Sequence, residues 1–305
     1  IVVLPGRLFT EMVRKLPQGP VEIEMEEGGT QVKIASGKTK LTLAGMHHSE
    51  YPQMPPIPQG GQIEMKCSEF RQMVRTTSFA VAVDETKPIL TGELIELEDN
   101  ALRVVALDGY RLAMYRGEIE NQVPDMRFVI PSKSVNEIAR IMGDDESVVS
   151  INVGSAQAMV MVNGTRVMTR LLEGDYIKYQ QILPTEYQTR VRVETSALME
   201  SVERASLMAN ESRNKLIKMQ ISEESVIITA NSELGSVYED IPVYMEGKGL
   251  EIAFNAKYLS DALKAVEDEE ILMDFNTNLS PCVMHPVEGD KFLYLVLPVR
   301  IYAGM

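Results

Sequence analysis

The segment PSKSVNEIARIM, Pro131 to Met142, decides the fold because its pattern occurs three times in the chain. Pro5 to Leu16 reads PGRLFTEMVRKL and Asn255 to Val266 reads NAKYLSDALKAV, so the three copies begin 126 and 124 residues apart. Each copy follows a short apolar run: IVVL, RFVI or EIAF. Within each copy the apolar residues recur at helical spacing. The pattern predicts a strand followed by an amphipathic helix that packs on a sheet.

Basic residues also recur in register within the three copies. The two cations of each copy are seven residues apart, or nearly two helical turns, and they are Arg7 and Arg14, Lys133 and Arg140, and Lys257 and Lys264. On one helix a solvated face would explain such a pair. Recurrence in three copies, while most other side chains differ, favours a common partner that is long, regular and anionic.

A second helix pattern alternates with the first. It begins at Cys67 (CSEFRQMVRTTSFAV) and again at Thr195 (TSALMESVERASLMA), each time after an alternating strand. Such self-similarity predicts an α+β fold of repeated domains, each built from two half-units of one strand, one helix and about three strands. We expect complete domains at 59–183 and 184–305 and half of a domain at 1–58, ended by the proline-rich run YPQMPPIP.

The half-unit at 1–58 also predicts a hairpin, with turns at Gly28-Gly29 and Ser36-Gly37 and a third strand at Lys40 to Ala44. Alone, such a half-unit would leave a sheet edge and an apolar face uncovered. We therefore expect the natural protein to have another half-unit before Ile1.

Composition limits the class of protein. A chain of 305 residues with 45% hydrophobic residues is long enough for two or three globular domains. No apolar run reaches membrane-spanning length, and the first residues lack the pattern of a signal peptide. The cysteines, Cys67 and Cys282, lie at non-equivalent repeat positions, which indicates free thiols. We expect a cytoplasmic protein with no membrane partner.

Catalysis has little support in the sequence. The histidines, His47, His48 and His285, do not recur in the repeat. Acid pairs such as Asp144-Asp145 and Glu269-Glu270 follow helices, where solvated turns are the ordinary interpretation. We expect no cofactor, no metal and no enzymatic activity.

The last stretch of the chain, FLYLVLPVRIYAGM from Phe292 to Met305, is apolar almost to its end. It is either the last strand of a sheet or an exposed apolar surface. Because Pro298 has no N–H to donate, we expect Leu297 to Val299 to lie at an edge with apolar groups exposed.

The repeats, together with ALDGYRL at 106–112, GDYIKYQQILP at 174–184 and LPVR at 297–300, resemble the bacterial beta sliding clamp, the processivity subunit of DNA polymerase III. The resemblance covers the whole chain, although the family has three complete domains and often carries proline where Ile177 stands. It implies a DNA-clamp fold with inner helices and outer antiparallel sheets, forming part of a ring. It also explains how a chain of net charge -14 can accept DNA, since cations would line the hole while acids face outward.

The resemblance implies three sets of site residues. The DNA-facing set is Arg7, Arg14, Arg71, Arg75, Lys133, Arg140, Arg204, Lys257 and Lys264. The peptide groove would comprise Leu90, Leu107, Gly109, Tyr110, Arg111, Leu112, Ile177, Ile182, Leu295, Leu297, Pro298, Val299 and Arg300, with cations at its rim. The dimer interface would join Leu41 and Leu43 to Leu207 and Met208 of the partner subunit.

The implied partners are double-stranded DNA, the DNA polymerase III alpha subunit, the clamp-loader complex, and other polymerases and repair proteins that carry short linear motifs. The family forms a homodimeric ring when full length, and we expect the present chain to be a monomer or weak dimer.

Two alternatives stay open at this point. One is an enzyme with a repeated α+β fold, such as a metal-dependent hydrolase, and the other is a peptide-binding module without a DNA role.

Overall fold

The structure, a computed structural model, describes residues 1–84, 86–99, 101–143, 146–212 and 214–300. The chain divides into two compact units, Ile1–Pro56 and Ile57–Met305. The first boundary lies close to the one predicted at 58/59, whereas the further division at 183/184 stays a prediction from the repeat. The acid pair Asp144-Asp145 and the terminal segment Tyr302 to Met305 lie outside the described residues.

The first unit contains one helix, α1 (Gly6–Arg14), and a small antiparallel arrangement of strands. The strands are β1 (Val2–Val3), β2 (Glu22–Met25), β3 (Gln31–Ser36), β4 (Thr39–Ala44) and β5 (Met46–His47). β1 pairs with β5, and β2, β3 and β4 form a three-stranded sheet. Gly28 and Gly37 occupy the two turns with φ of +74° and +58°, a conformation that glycine adopts without strain, which confirms the predicted hairpin.

The apolar face of α1 is not covered within this unit. None of its residues is buried, and Leu8 and Val13 are exposed. The equivalent faces of the other two copies are covered, since Val135 and Leu259 are both 0% exposed. The same sequence pattern therefore gives a buried helix face only where a second half-unit packs on it.

The second unit contains four helices and seventeen strands in the residues that the structure describes. The helices are α2 (Cys67–Thr77), α3 (Ser132–Ile141), α4 (Thr195–Asn210) and α5 (Ala256–Lys264). The strands of the earlier repeat are β6 (Gly61–Lys66), β7 (Gly92–Glu98), β8 (Ala101–Leu107), β9 (Arg111–Gly117), β10 (Met126–Pro131), β11 (Val148–Val153), β12 (Gln157–Val162) and β13 (Thr165–Arg170). The strands of the later repeat are β14 (Thr189–Glu194), β15 (Leu216–Ile221), β16 (Ser225–Ser232), β17 (Gly235–Pro242), β18 (Tyr244–Gly247), β19 (Leu250–Asn255), β20 (Glu270–Phe275), β21 (Cys282–Pro286) and β22 (Phe292–Val296).

This order confirms the predicted repeat, because every helix follows a strand and precedes about three strands. The later repeat has an additional short strand, β18, which pairs with β14, and its first helix is longer. Among the helices of the described residues, none combines the length and apolar character needed to cross a bilayer.

One antiparallel sheet joins the two repeats. Its nine strands run in the order β10-β7-β8-β9-β22-β21-β20-β14-β18, so that β9 of the earlier repeat pairs directly with β22 of the later one. Two four-stranded sheets, β13-β12-β11-β6 and β17-β16-β15-β19, complete the unit. The sheet thus ties together strands that are distant in sequence.

Side chains alternate between the two faces of this sheet. One face packs on the helices: Tyr115 contributes to a core with α2 and α3, while Tyr294 contributes to a core with α4 and α5. The opposite face of the central strands carries a third apolar cluster that includes Leu112 and Leu295. The segment 172–183 packs over this third cluster.

A fully buried carboxyl lies where α2 ends and α3 begins. Glu93 of β7 accepts hydrogen bonds from the hydroxyls of Ser78 (2.6 Å), Thr77 (2.9 Å) and Ser132 (3.3 Å). Burial raises the pKa of Glu93 to about 7, although these three hydrogen bonds act in the opposite direction. Desolvation of the charged form therefore outweighs the hydroxyl donors.

We expect the ionisation of Glu93 to make stability fall as the pH rises. The unfolded chain has the ordinary carboxyl pKa of 4.5 and loses its proton first, so unfolding becomes progressively easier between about pH 5 and pH 8. The full shift corresponds to about 3 kcal/mol. Urea titrations at pH 5.5 and 8.5 should show that Glu93→Gln removes most of this decline. Parallel pH profiles for the two proteins would contradict the assignment.

Candidate functional site

The four helices of the second unit form two pairs. α2 packs beside α3, and α4 packs beside α5. The two pairs meet where Gln72 and Arg75 of α2 contact Glu267, just beyond the end of α5. Each helix buries one side in the cores described above, and we call the exposed opposite sides of the four helices the helix face.

Most cations predicted to bind DNA in this unit lie on the helix face. Arg75, Lys133, Arg140, Arg204, Lys257 and Lys264 are exposed, whereas Arg71 is half-buried and donates a hydrogen bond to the carbonyl of Gly143. In the first unit, Arg7 and Arg14 are exposed on α1. The cations that recur in the three helix copies are therefore accessible on each helix considered separately.

The helix face is not a bare cationic surface, because carboxylates accompany its cations. Five of the cations form ion pairs, which are Arg75 with Glu267, Arg140 with Glu137 (2.6 Å), Arg204 with Glu239 (2.7 Å), Lys257 with Asp261 (2.7 Å) and Lys264 with Glu203 (2.9 Å). Within the described residues, Lys133 has no ion-pair partner. Helical spacing in the sequence already allows the pairs Arg140–Glu137 and Lys257–Asp261, whereas these partners of Arg75, Arg204 and Lys264 lie on other elements and could not be predicted from spacing.

The predicted groove residues divide into a buried floor and an exposed rim. The floor lies in the apolar cluster on the sheet face opposite the helices, and its predicted members are Leu90, Leu107, Leu112 and Leu295. Ile177 is half-buried and packs against the same cluster. The 172–178 part of the covering segment borders a cleft of about 710 Å³, whose lining includes Leu94, Leu172 and Ile177.

The rim members project beside this floor. Tyr110, Ile182 and Leu297 are 60%, 46% and 36% exposed, which is high for large apolar side chains. The backbone N–H of Leu297 donates to the carbonyl of Tyr110 (2.9 Å), so these two residues lie side by side. Gly109, in the turn between β8 and β9, takes φ +94°, a conformation that residues with a side chain rarely adopt.

The end of the sheet agrees only in part with the prediction for Leu297 to Val299, because Leu297 is exposed whereas the segment continues a central strand of the sheet and does not lie at an edge. β22 ends at Val296, one residue before Leu297, and Pro298 interrupts the ladder. The N–H of Val299 then donates to the carbonyl of Ala253 (2.8 Å) in the neighbouring sheet. Pro298 and Val299 stay half-buried, and Arg300 is exposed.

Arg111 does not lie at the groove rim, which corrects the expectation from the sequence. Its side chain is 7% exposed and donates to Asp108 (3.0 Å) and to Asp261 of α5 (2.7 Å). Its guanidinium also stacks on the ring of Tyr258, 4.7 Å from the ring centroid. Because side chains alternate along β9, Arg111 points toward the helices while Leu112 points toward the groove.

Three tyrosines at this junction were missed from the sequence. Tyr176 and Tyr179 belong to the covering segment and are buried against the sheet, where their hydroxyls donate to the carbonyl of Val105 (3.2 Å) and to Glu96 (2.6 Å). Tyr258 of α5 stacks on Tyr110 with ring centroids 5.8 Å apart. The spacing of Tyr176 and Tyr179 within GDYIKYQ was the sequence signal that could have identified these two residues. No local pattern distinguishes Tyr258.

The predicted dimer residues lie on an edge strand of the first unit and on helix α4 of the second. β4, with half-buried Leu41 and buried Leu43, is an edge strand of the first unit. In the second unit, Leu207 is 72% exposed at the end of α4, next to half-buried Met208 and near the edge strand β17. In the part of the chain that the structure describes, no group of three or more His, Cys, Asp or Glu side chains is arranged to hold a metal ion.

Three family profiles match successive parts of the chain. They describe the N-terminal, central and C-terminal domains of the DNA polymerase III beta subunit, and they cover residues 1–55, 64–178 and 180–300. Among proteins similar to this chain, the beta sliding clamp of Staphylococcus epidermidis is 33% identical over 303 residues, which are 99% of this chain and 80% of that protein. The beta sliding clamp of Staphylococcus aureus is 32% identical over the same coverage.

Solved structures give the same grouping. The DNA polymerase sliding clamp from Bacillus subtilis superimposes with a TM-score of 0.91 at 34% identity, covering 99% of this chain and 80% of that one. A putative DNA polymerase III beta subunit from Eubacterium rectale superimposes with a TM-score of 0.89 at 32% identity, covering 98% and 82%.

We expect the buried Arg111 to stabilise the junction between the two repeats. Arg111→Ala would leave Asp108 and Asp261 without their shared cation, so the free energy of unfolding should fall by about 3 kcal/mol in urea titrations. Arg192→Ala is the control, because Arg192 and Glu270 form an exposed pair on the same sheet. That variant should lose less than about 1 kcal/mol. Equal losses in the two variants would contradict a special role for Arg111.

Proposed function

The chain belongs to the family of bacterial DNA polymerase III beta subunits, the beta sliding clamps, and we propose on this premise how its surfaces serve that function. It acts as a sliding clamp in DNA replication. The proposal assigns duplex DNA to the helix face, short peptide motifs to the groove, and a second subunit to the free sheet edges. It assigns no catalytic step to any residue.

The observation that carries the DNA proposal is the row of neighbouring helices that expose repeated cations. Lys and Arg side chains on an exposed surface contact phosphates without reading base edges, so binding there is independent of sequence. Aromatic residues make up 6% of the chain and Trp is absent, which disfavours a platform for unstacked single-stranded bases. Contacts of this kind are weak and screened by salt, so retention would come from enclosure of the duplex rather than from affinity.

The groove proposal rests on the combination of a buried floor with exposed apolar rim residues. Ile182 and Leu297 offer accessible apolar surface, while Leu112 and Leu295 give a rigid base. A short extended segment with two apolar anchors fits such a surface. The polymerase alpha subunit, the clamp-loader complex, and other polymerases and repair proteins would then compete for one groove.

The pairing of β9 with β22 supports the dimer proposal. β9 and β22 are the last strands of their half-units. The repeat counterpart of β9 is β17, and those of β22 are β4 and β13. All three counterparts are edge strands, with unpaired backbone groups along one side. The predicted interface residues Leu41 and Leu43 lie on β4, so the proposed contact involves β4 and β17. An antiparallel contact between β17 of one subunit and β4 of its partner would reproduce the junction seen within the chain, with the exposed Leu207 beside it.

We expect self-association to be weak, because β4 belongs to the unit whose helix buries none of its side chains. Sedimentation velocity should show a concentration-dependent mixture of monomer and dimer. A tight dimer at low concentration would contradict this expectation.

Above the dissociation constant so measured, the protein should remain on nicked circular duplex DNA and leave it when the circle is linearised. Enclosure predicts this difference, since a linear duplex has free ends. Gel filtration of the protein with each DNA form provides the measurement. Equal retention on circular and linear DNA would contradict enclosure and favour ordinary surface binding.

We expect Ile182→Asp and Leu297→Asp each to weaken peptide binding at least tenfold, because a carboxylate replaces an apolar anchor contact. Fluorescence anisotropy with a labelled C-terminal peptide of a polymerase alpha subunit measures the affinity. Retention on circular DNA should not change. Tyr244→Asp is the matched control, since Tyr244 is an exposed residue on the distant edge strand β18. Unaltered peptide affinity in both groove variants would show that the groove is misplaced.

A further inference from the structure

The cleft between α4 and α5 brings cations and carboxylates together on the helix face. Its volume is about 570 Å³, and its charged lining residues are Glu200, Glu203, Arg204, Lys257, Asp261 and Lys264. Three acids thus face three bases on the surface assigned above to duplex DNA. A surface selected only to attract phosphate would not need these acids.

The acids do not lie at random positions, because their oxygens contact the cations directly. Glu203 of α4 reaches across the cleft to the Nζ of Lys264 on α5, at 2.9 Å. On α3, Glu137 holds Arg140 at 2.6 Å. Arg140 and Lys264 are each the second cation of their helix copy. The same repeat position is therefore neutralised in both domains, by acids at unrelated sequence positions.

A paired cation is a poorer phosphate ligand than a free one. To contact DNA it must exchange one anionic oxygen for another, and the displaced carboxylate then lies close to the phosphate and repels it. Affinity for duplex DNA depends steeply on the number of phosphates that are neutralised, and each adds about 0.9 to the slope of log K against log salt. By occupying two cations, the two acids therefore lower the number of phosphates that the helix face can neutralise.

We propose that Glu137 and Glu203 limit the affinity of the helix face for duplex DNA, and thereby keep the contact weak enough for sliding. This inference rests on the proposed DNA-binding function and names what tunes it. Each of these residues pairs with one helix-face cation in the described part of the chain. Asp261 is different because it also holds the buried Arg111, so its substitution would mix two effects.

Binding of a fluorescent linear duplex across a range of KCl concentrations tests the proposal. Glu203→Gln and Glu137→Gln keep the side-chain size and remove the charge. Each should tighten duplex binding about threefold at low salt, and the double variant about tenfold. The slope of log K against log salt should become steeper by up to about 0.9 for each substitution.

Two exposed acids, Glu223 in the turn between β15 and β16 and Glu251 on β19, provide the charge-matched control. Glu223→Gln and Glu251→Gln raise the net charge equally, but neither acid contacts a helix-face cation in the described structure. If duplex binding tightened as much in these controls as in the Glu137→Gln and Glu203→Gln variants, the effect would be one of net charge in general, and the proposal would be overturned.

A double-mutant cycle separates pairing from a purely structural role. In a Lys264→Gln background, Glu203→Gln should lose most of its effect on affinity, because no cation is left to release. A full effect in that background would overturn the proposal. Failure of the wild type to stay on nicked circular DNA would instead contradict the proposed function itself.

Discussion

The backbone pairing of β9 with β22 is the constraint on which the second unit depends. Arg111–Gly117 and Phe292–Val296 are far apart in sequence, yet they pair in register from Phe292 with Tyr115 to Val296 with Arg111. A slip of one residue would exchange the two faces of the strands. The register therefore decides at once that Leu112 and Leu295 enter the groove cluster and that Tyr294 enters the core beneath α5.

This division of the sheet separates two kinds of surface. The helices cover one face and present charged side chains outward, where weak and exchangeable contacts with phosphate are possible. The other face keeps an apolar cluster that is covered by the segment 172–183 and by residues before β7 such as Ile89 and Leu90, and accessible anchors remain at its border. Arg111 joins the two surfaces, because it follows the groove turn in the chain while its guanidinium pairs with Asp261 on α5. One continuous sheet can thus support the two surfaces that we propose for DNA and for peptides without overlap.

Much of the fold followed from periodicity. The copies beginning at Pro5, Pro131 and Asn255 predicted three helices with their preceding strands, and Cys67 and Thr195 predicted two more, because a helix or strand with one apolar face reveals its period in sequence. The buried floor at Leu112 and Leu295 could be reached only through the resemblance to a family. The position of Arg111 was wrong, since the strand pleat turned it to the opposite face. The pairing of Lys264 with Glu203 was not predictable from spacing, because the two residues lie on different helices.

The sequence by itself determined the repeat, the helix and strand types, the accessible cations and the family, because these depend on local period, charge and the order of motifs along the chain. Tertiary structure alone decided which strands of the two repeats meet, to which face Arg111 turns, and that Glu203 pairs with Lys264. Those features depend on contacts between residues far apart in the chain. The helix α1 has the same apolar pattern as α3 and α5 and yet buries no side chain, because a pattern offers a face for packing and only a neighbouring element covers it.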